Sequence, residues 1–106
     1  MDIYLKGLDV LSITAYLDTG NKLIDPYGMN PIILVSKKVL KEYKNDSYIL
    51  VPYNTIDSHG LIECFKPDKI YIENVGYIKK VLIGLIDNVG IEGADCILNG
   101  KLLERI

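Results

Sequence analysis

Apolar residues come in short runs punctuated by turn formers, and few stretches carry helical spacing. "DIYLKG" and "LSITAYLD" flank Gly7-Leu8-Asp9 and predict a first hairpin of alternating β-branched and aromatic residues. "KLIDPYG" carries Asp25-Pro26 and Gly28, a turn signal in which Asp25 opens the turn ahead of the proline. "NPIILVS" is almost wholly apolar and predicts a buried strand. In "KKVLKEYKND", Val39, Leu40 and Tyr43 fall at helical spacing among lysines, which predicts a short surface helix.

"YILVPYNTI" and "GLIECFKPDKIYIEN" then predict a second hairpin across Asp57-Ser58-His59-Gly60. "GYIKKVLIGLID" reads as one further strand, with Gly84 marking a bend or a close backbone approach. "DCILNGKLLERI" predicts an apolar strand followed by one or two helical turns. Tyr48, Tyr53 and Tyr71 read as half-buried strand positions, and Tyr53 is placed to line a pocket beside the second hairpin. The sum is a mainly β domain over 1–106, expected to be a small closed barrel or sandwich.

Composition narrows the function classes. The chain has 106 residues, 49% hydrophobic and 25% charged, which suits one globular core and not a disordered segment. A formal net charge of −2 with interspersed lysines and acids gives no basic patch, so nucleic acid is a poor partner. Cys64 and Cys96 are far apart, and with His59 as the single histidine no zinc set assembles; both thiols are expected to be reduced and partly buried. No apolar run reaches membrane-spanning length and no leader is evident, so the chain alone reads as soluble and cytoplasmic. The lysines of 37–44 read as a solvated helix face that could also meet an acidic partner or an anionic lipid surface.

The chemistry concentrates in "AYLDTGNKLIDP". Two apolar residues lead directly into Asp18-Thr19-Gly20-Asn21. Chance supplies Asp-Thr-Gly in about one such chain in 50, so the tripeptide alone is a weak signal. Its bland reading is an Asx turn, with Asp18 accepting backbone N–H groups and Gly20 easing the chain reversal. Its sharper reading is aspartic proteolysis, in which a strand delivers the carboxylate, a threonine hydroxyl ties the loop and glycine permits close approach. Two such carboxylates facing each other share one proton, so one activates water and the other protonates the scissile carbonyl. The sequence holds a single Asp-Thr-Gly and no Asp-Ser-Gly, which requires a homodimer with Asp18 on the two-fold axis.

In that reading residues 57–60 form a flap over substrate, and "KVLIGLI" is a strand beside the active-site loop. "CILNGKLLERI" is the strand and Gly-led helix that buttress the loop from behind. His59 reads as a solvated residue of the flap, because a shared-proton dyad needs no histidine. A phosphate- and metal-binding Asp-x-Gly loop of the actin-like or sugar-kinase kind is the competing enzyme reading. Those folds need two lobes and a second phosphate loop, which this length does not hold.

From about Leu11 to Leu103, "AYLDTGNKLIDPYGMNPIILV", "VPYNTI", "GLIECFKPDKI", "VLIGLI" and "DCIL" resemble the C-terminal protease domain of the sporulation sigma-E factor-processing peptidase family. The LDTGN-x-L-x-DP stretch is the specific part of the likeness. The resemblance implies a retropepsin-like fold, a homodimeric endopeptidase with no cofactor, and a sigma factor precursor as substrate. It also implies a signalling protein from the neighbouring compartment as activator. The family's place is the cytoplasmic face of the membrane, held there by a multi-pass N-terminal half that this sequence does not contain. Asp18 carries over as the catalytic acid/base, with Thr19 and Gly20 completing its loop. Asn21 fits the family where retroviral and pepsin-type enzymes have a small residue, and it either hydrogen-bonds near the dyad or finishes the turn. Retroviral-type proteases end in a strand that pairs across the dimer, whereas this chain stops at Ile106. The expectation is weak or different association of the isolated chain, with a catalytically silent dimerisation or partner-binding module as the alternative.

Overall fold

The computed structural model describes residues 1–18, 20–41, 43, 48–54 and 59–103, with the backbone alone at 54, 59 and 103. The strands are, in chain order, β1 (Asp2–Tyr4), β2 (Leu11–Ser12), β3 (Ala15–Asp18), β4 (Ile32–Ser36) and β5 (Ile49–Asn54). They continue as β6 (His59–Phe65), β7 (Lys69–Ile72), β8 (Gly76–Ile78), β9 (Leu82–Ile86) and β10 (Cys96–Asn99). A 3-10 turn spans Lys37–Leu40, started by the Ser36 hydroxyl accepting from Lys38 N, and a single helical turn, α1, spans Gly100–Leu103.

These strands make two sheets. The smaller is antiparallel, in the order β2-β1-β7-β8. The larger is mixed, in the order β3-β10-β4-β9-β6-β5. β10 runs parallel to β3 and antiparallel to β4, and β4 runs parallel to β9. The mainly β reading with little helix therefore holds. The closed barrel does not: among the described residues, β3 and β5 end the larger sheet without pairing to each other.

The reason lies in three short breaks that carry the chain between sheets. "LSITAYLD" divides at Ile13-Thr14, where Thr14 N donates to Asp95 Oδ2 at 3.0 Å and Thr14 O accepts from Asp95 N at 2.8 Å. "GLIECFKPDKIYIEN" divides at Lys66-Pro67-Asp68, where proline cannot continue the ladder, so only residues up to Phe65 belong to the second hairpin. "GYIKKVLIGLID" is two strands, separated at the exposed pair Lys79-Lys80 and lying in different sheets. Each break lets the following strand join the other layer, so the sheets stack instead of closing.

Between the layers sits the main core. Ile3, Ile70, Ile72 and Ile78 from the small sheet meet Ile33, Val35, Ile83, Cys96 and Leu98 from the large one, with Phe65 and Leu102. β4 is buried on both faces, so its side chains alternate between two clusters: Ile33 and Val35 face the main core, whereas Ile32 and Leu34 face a second one. That second cluster contains Ile32, Val51, Ile62, Cys64 and Leu82, with Leu23, Leu34 and Tyr53 packed against it. Gly84 lies at its tightest point. A Cβ there would come within 2.9 Å of Ile32 Cγ2 and 3.0 Å of Ile62 Cγ2, so the close-approach reading of this glycine is correct.

The Asp25 turn closes the segment before β4. Its carboxylate is 2% exposed and accepts from Tyr27 N (2.7 Å), Gly28 N (2.8 Å), Asn30 N (3.1 Å) and Asn30 Nδ2 (3.0 Å). Burial pushes its pKa up, but the hydrogen bonds outweigh burial and hold it below the ordinary 3.8. Both thiols are free and completely buried, more deeply than expected, and burial pushes each up to about 12.

Three measurements follow. Gly84→Ala is expected to cost about 1–3 kcal/mol in denaturant unfolding, because two β-branched neighbours must move. Because the folded-state pKa of Asp25 is depressed, its contribution is present above 3.8 and disappears as pH falls through that value and below it. Acid titration of stability should therefore show a steeper loss below about pH 4 in the wild type than in Asp25→Asn. A thiol reagent should modify Cys64 and Cys96 more than about 100-fold more slowly in the native protein than in denaturant.

Candidate active site

β3 lies at the edge of the large sheet and pairs in parallel with β10, which sets Asp18 opposite Asn99. The chain reverses directly after the carboxylate: Asn21 N donates to Asp18 O at 3.1 Å, and Gly20 N donates to Asp18 Oδ1 at 2.9 Å. A Cβ on Gly20 would stand 3.1 Å from that same oxygen and crowd it, which gives a local reason for glycine two residues after the acid. Among the described residues, Asp18 Oδ2 has no hydrogen-bond donor. The contrast with Asp25 is chemical: one carboxylate is saturated by four donors within its own turn, and the other takes one donor among the described residues.

Asn21 turns its side chain into the protein. Its amide donates to Leu98 O at 3.2 Å and to Ile32 O at 3.4 Å, while Leu23 N donates to its Oδ1 at 3.4 Å. Its backbone carbonyl accepts from Gly100 N at 2.9 Å, so it both finishes the turn and braces it. Asn99 is the residue that sequence reasoning missed. It is wholly buried, donates to Leu23 O at 2.7 Å and Ile32 O at 3.1 Å, and caps the start of α1 by accepting from Lys101 N at 2.9 Å. Its signal was a lone amide at the end of the apolar run "CIL" and just before a glycine. In the sheet, β10 is the strand paired to β3 and so backs the Asp18 loop, whereas β9, expected beside the loop, lies between β4 and β6 and meets the loop across the cleft through Leu85 and Ile86.

Beside this turn opens a cleft of about 720 Å³. One wall is the loop Gly20-Asn21-Lys22-Leu23, the second is Tyr53, Leu61 and Ile62 of the β5–β6 hairpin, and the third is Leu85 to Asn88. Leu34 and Lys37 complete the lining, which begins at Gly20 and does not include Asp18. Tyr53 thus lines the cleft, and its ring covers Gly60, where a Cβ would lie 3.1 Å from Tyr53 Cε1. Lys37 reaches Asp87 at 3.3 Å, an exposed pair of little energetic weight.

Of the residues singled out in the sequence, the structure brings Asp18, Gly20 and Asn21 together in one turn. Thr19, Asp57 and Ser58 lie outside the described residues. His59 begins β6 opposite Asn54, and Gly60 pairs with Tyr53, so the expected flap is a hairpin with its base on the cleft. Among the described residues, no three His, Cys, Asp or Glu side chains are grouped to hold a metal ion, and no helix is long and apolar enough to cross a membrane.

Comparison with known proteins agrees with the sequence likeness. The family described as Sporulation factor SpoIIGA matches residues 1–90. A protein of Clostridium acetobutylicum named "Probable sporulation sigma-E factor-processing peptidase" is 38% identical over 81 residues, covering 72% of this chain. The match covers 30% of that relative, so the chain spans less than a third of its length. No solved structure matches the chain. With most of its length matched by the family, the chain belongs to the sporulation factor SpoIIGA peptidase family.

Proposed function

We propose that this chain is a retropepsin-like aspartic endopeptidase domain that works as a homodimer on the N-terminal propeptide of an inactive sporulation sigma factor precursor. The observation that carries the reading is Asp18 itself, presented at the end of an edge strand by a turn braced from behind and set next to the cleft. The relative's name supplies the substrate class. An activating signal from the neighbouring compartment and a membrane-bound N-terminal half come from the family likeness.

In the dimer, Asp18 and its twin meet across the two-fold axis and hold one proton between them. The ionised carboxylate takes a proton from water as that water attacks the peptide carbonyl. The protonated partner donates to the carbonyl oxygen as the tetrahedral intermediate forms. Gly20 N holds Asp18 Oδ1 in place at 2.9 Å, which fixes the direction of the carboxylate. Tyr16 and Leu17, 47% and 49% exposed just before the acid, supply apolar surface for the second copy to cover. The β5–β6 hairpin lies where a closing flap would exclude water from the cleft.

The test pairs association with cleavage. Sedimentation equilibrium over a broad concentration range should show a reversible dimer for wild type and for Asp18→Asn alike. The precursor should be cut by wild type, while Asp18→Asn loses at least about 1,000-fold in rate. Cleavage that survives Asp18→Asn would sink the dyad, and a strict monomer that still cleaves would sink the two-fold site.

A further inference from the structure

The cleft beside Asp18 has an uneven charge that the hydrolytic chemistry does not use. Its charged lining consists of Lys22, Lys37 and Asp87. Lys37 and Asp87 lie 3.3 Å apart, so their charges cancel locally. Among the described lining residues the remaining charge is the ammonium of Lys22, on the wall nearest the Asp18 turn. We infer that Lys22 receives an acidic side chain of the bound peptide, next to a large aliphatic side chain seated on Leu34, Ile62 and Leu85. The inference rests on the peptidase reading above and names the substrate feature that this cleft selects.

Two properties of the site support this occupant. The backbone on both sides of Lys22 is fixed: Asn21 O accepts from Gly100 N at 2.9 Å, and Leu23 O accepts from Asn99 Nδ2 at 2.7 Å and Ile32 N at 3.0 Å. The lysine is therefore presented from a rigid stretch, and only its own side-chain freedom is lost when a carboxylate arrives. Second, Leu23, Leu34, Ile62, Leu85 and Ile86 give the cleft an aliphatic floor, and Leu61, at 62% exposed, extends that surface outward along the hairpin. Among the described residues, a peptide lying between loop and hairpin thus meets Lys22 as the cation not paired within the lining, beside aliphatic surface. A basic residue at the same place would face Lys22 directly, and a neutral amide would gain no ion pair.

Peptide binding tests this without requiring turnover. Octapeptides with one central leucine, and with Glu, Gln or Lys walked through the flanking positions, are titrated into Asp18→Asn protein and read by fluorescence anisotropy. At one position Glu should bind about fivefold more tightly than Gln, as an ion pair at a wet rim allows, and Lys more weakly than either. Lys22→Gln should abolish the Glu preference, and Lys22→Glu should transfer it to the Lys peptide at the same position. Reversal of preference, unlike loss of binding, does not arise from misfolding. Equal affinities at every position, no binding by any peptide, or a Glu preference that survives Lys22→Glu would each overturn the inference. Cleavage assays separate the two readings: Asp18-dependent cutting with no Glu preference removes this inference alone. A Lys22-dependent Glu preference with no cutting by wild type leaves an acidic-peptide site and removes the peptidase.

Discussion

The carbonyl oxygen of Ile32 is the point on which the site depends. It accepts from Asn99 Nδ2 at 3.1 Å and from Asn21 Nδ2 at 3.4 Å, and Ile32 is itself completely buried at the start of β4. Three separate stretches meet there: the turn after Asp18, the end of β10 and the central strand of the large sheet. Each hydrogen bond contributes only about 1 kcal/mol net, but an orphaned buried group costs about 1–3 kcal/mol. Partial satisfaction is therefore the worst state, and the network favours one arrangement of the turn over neighbouring ones. The two amides convert a loop at a sheet edge, ordinarily the softest kind of backbone, into a fixed mount for a carboxylate.

The same network sets the two aspartates of this segment apart. Asp25 and Asp18 are seven positions apart in one polar-and-turn-rich segment. Asp25 spends its oxygens on four donors and serves as the centre of a closed turn. Among the described residues Asp18 takes one backbone donor, and Asn21 and Asn99 hold the turn in its place. Bracing from behind frees the front of the carboxylate. The arrangement separates the cost of ordering the loop from the carboxylate that the proposed chemistry would use.

Much of this was legible in the sequence, and the gaps have physical causes. β4, the β5–β6 hairpin and the β10–α1 pair follow from unbroken apolar runs and turn residues, because those signals are local. The divisions at Ile13-Thr14 and at Lys79-Lys80 were not legible. A strand that changes sheets keeps its alternating pattern across the break, and only packing of the two layers shows which sheet it joins. The expectation of a closed barrel failed for the same reason. Asp18 and Gly20 were found through a motif, whereas Asn99 was hidden because its partners, Leu23 O and Ile32 O, are far away in sequence. A buried amide announces itself through long-range acceptors, which no spacing rule encodes.

The position of Asp18 at a sheet edge carries the last step. An edge strand with exposed apolar side chains is a liability that proteins cover or blunt, and β3 does neither at Tyr16 and Leu17. An acid placed directly after them adds a constraint, since a second copy would bring two like charges together. Apolar cover favours association, and like charge opposes it until a proton is shared between the carboxylates. In the proposed dimer both terms act on neighbouring residues: apolar cover at Tyr16 and Leu17 favours contact, and a shared proton would remove the repulsion between the two acids. Lys22, four residues on, lies on the cleft wall, where the proposed peptide would meet it apart from the two acids. One turn thus divides its charges between self-association and recognition.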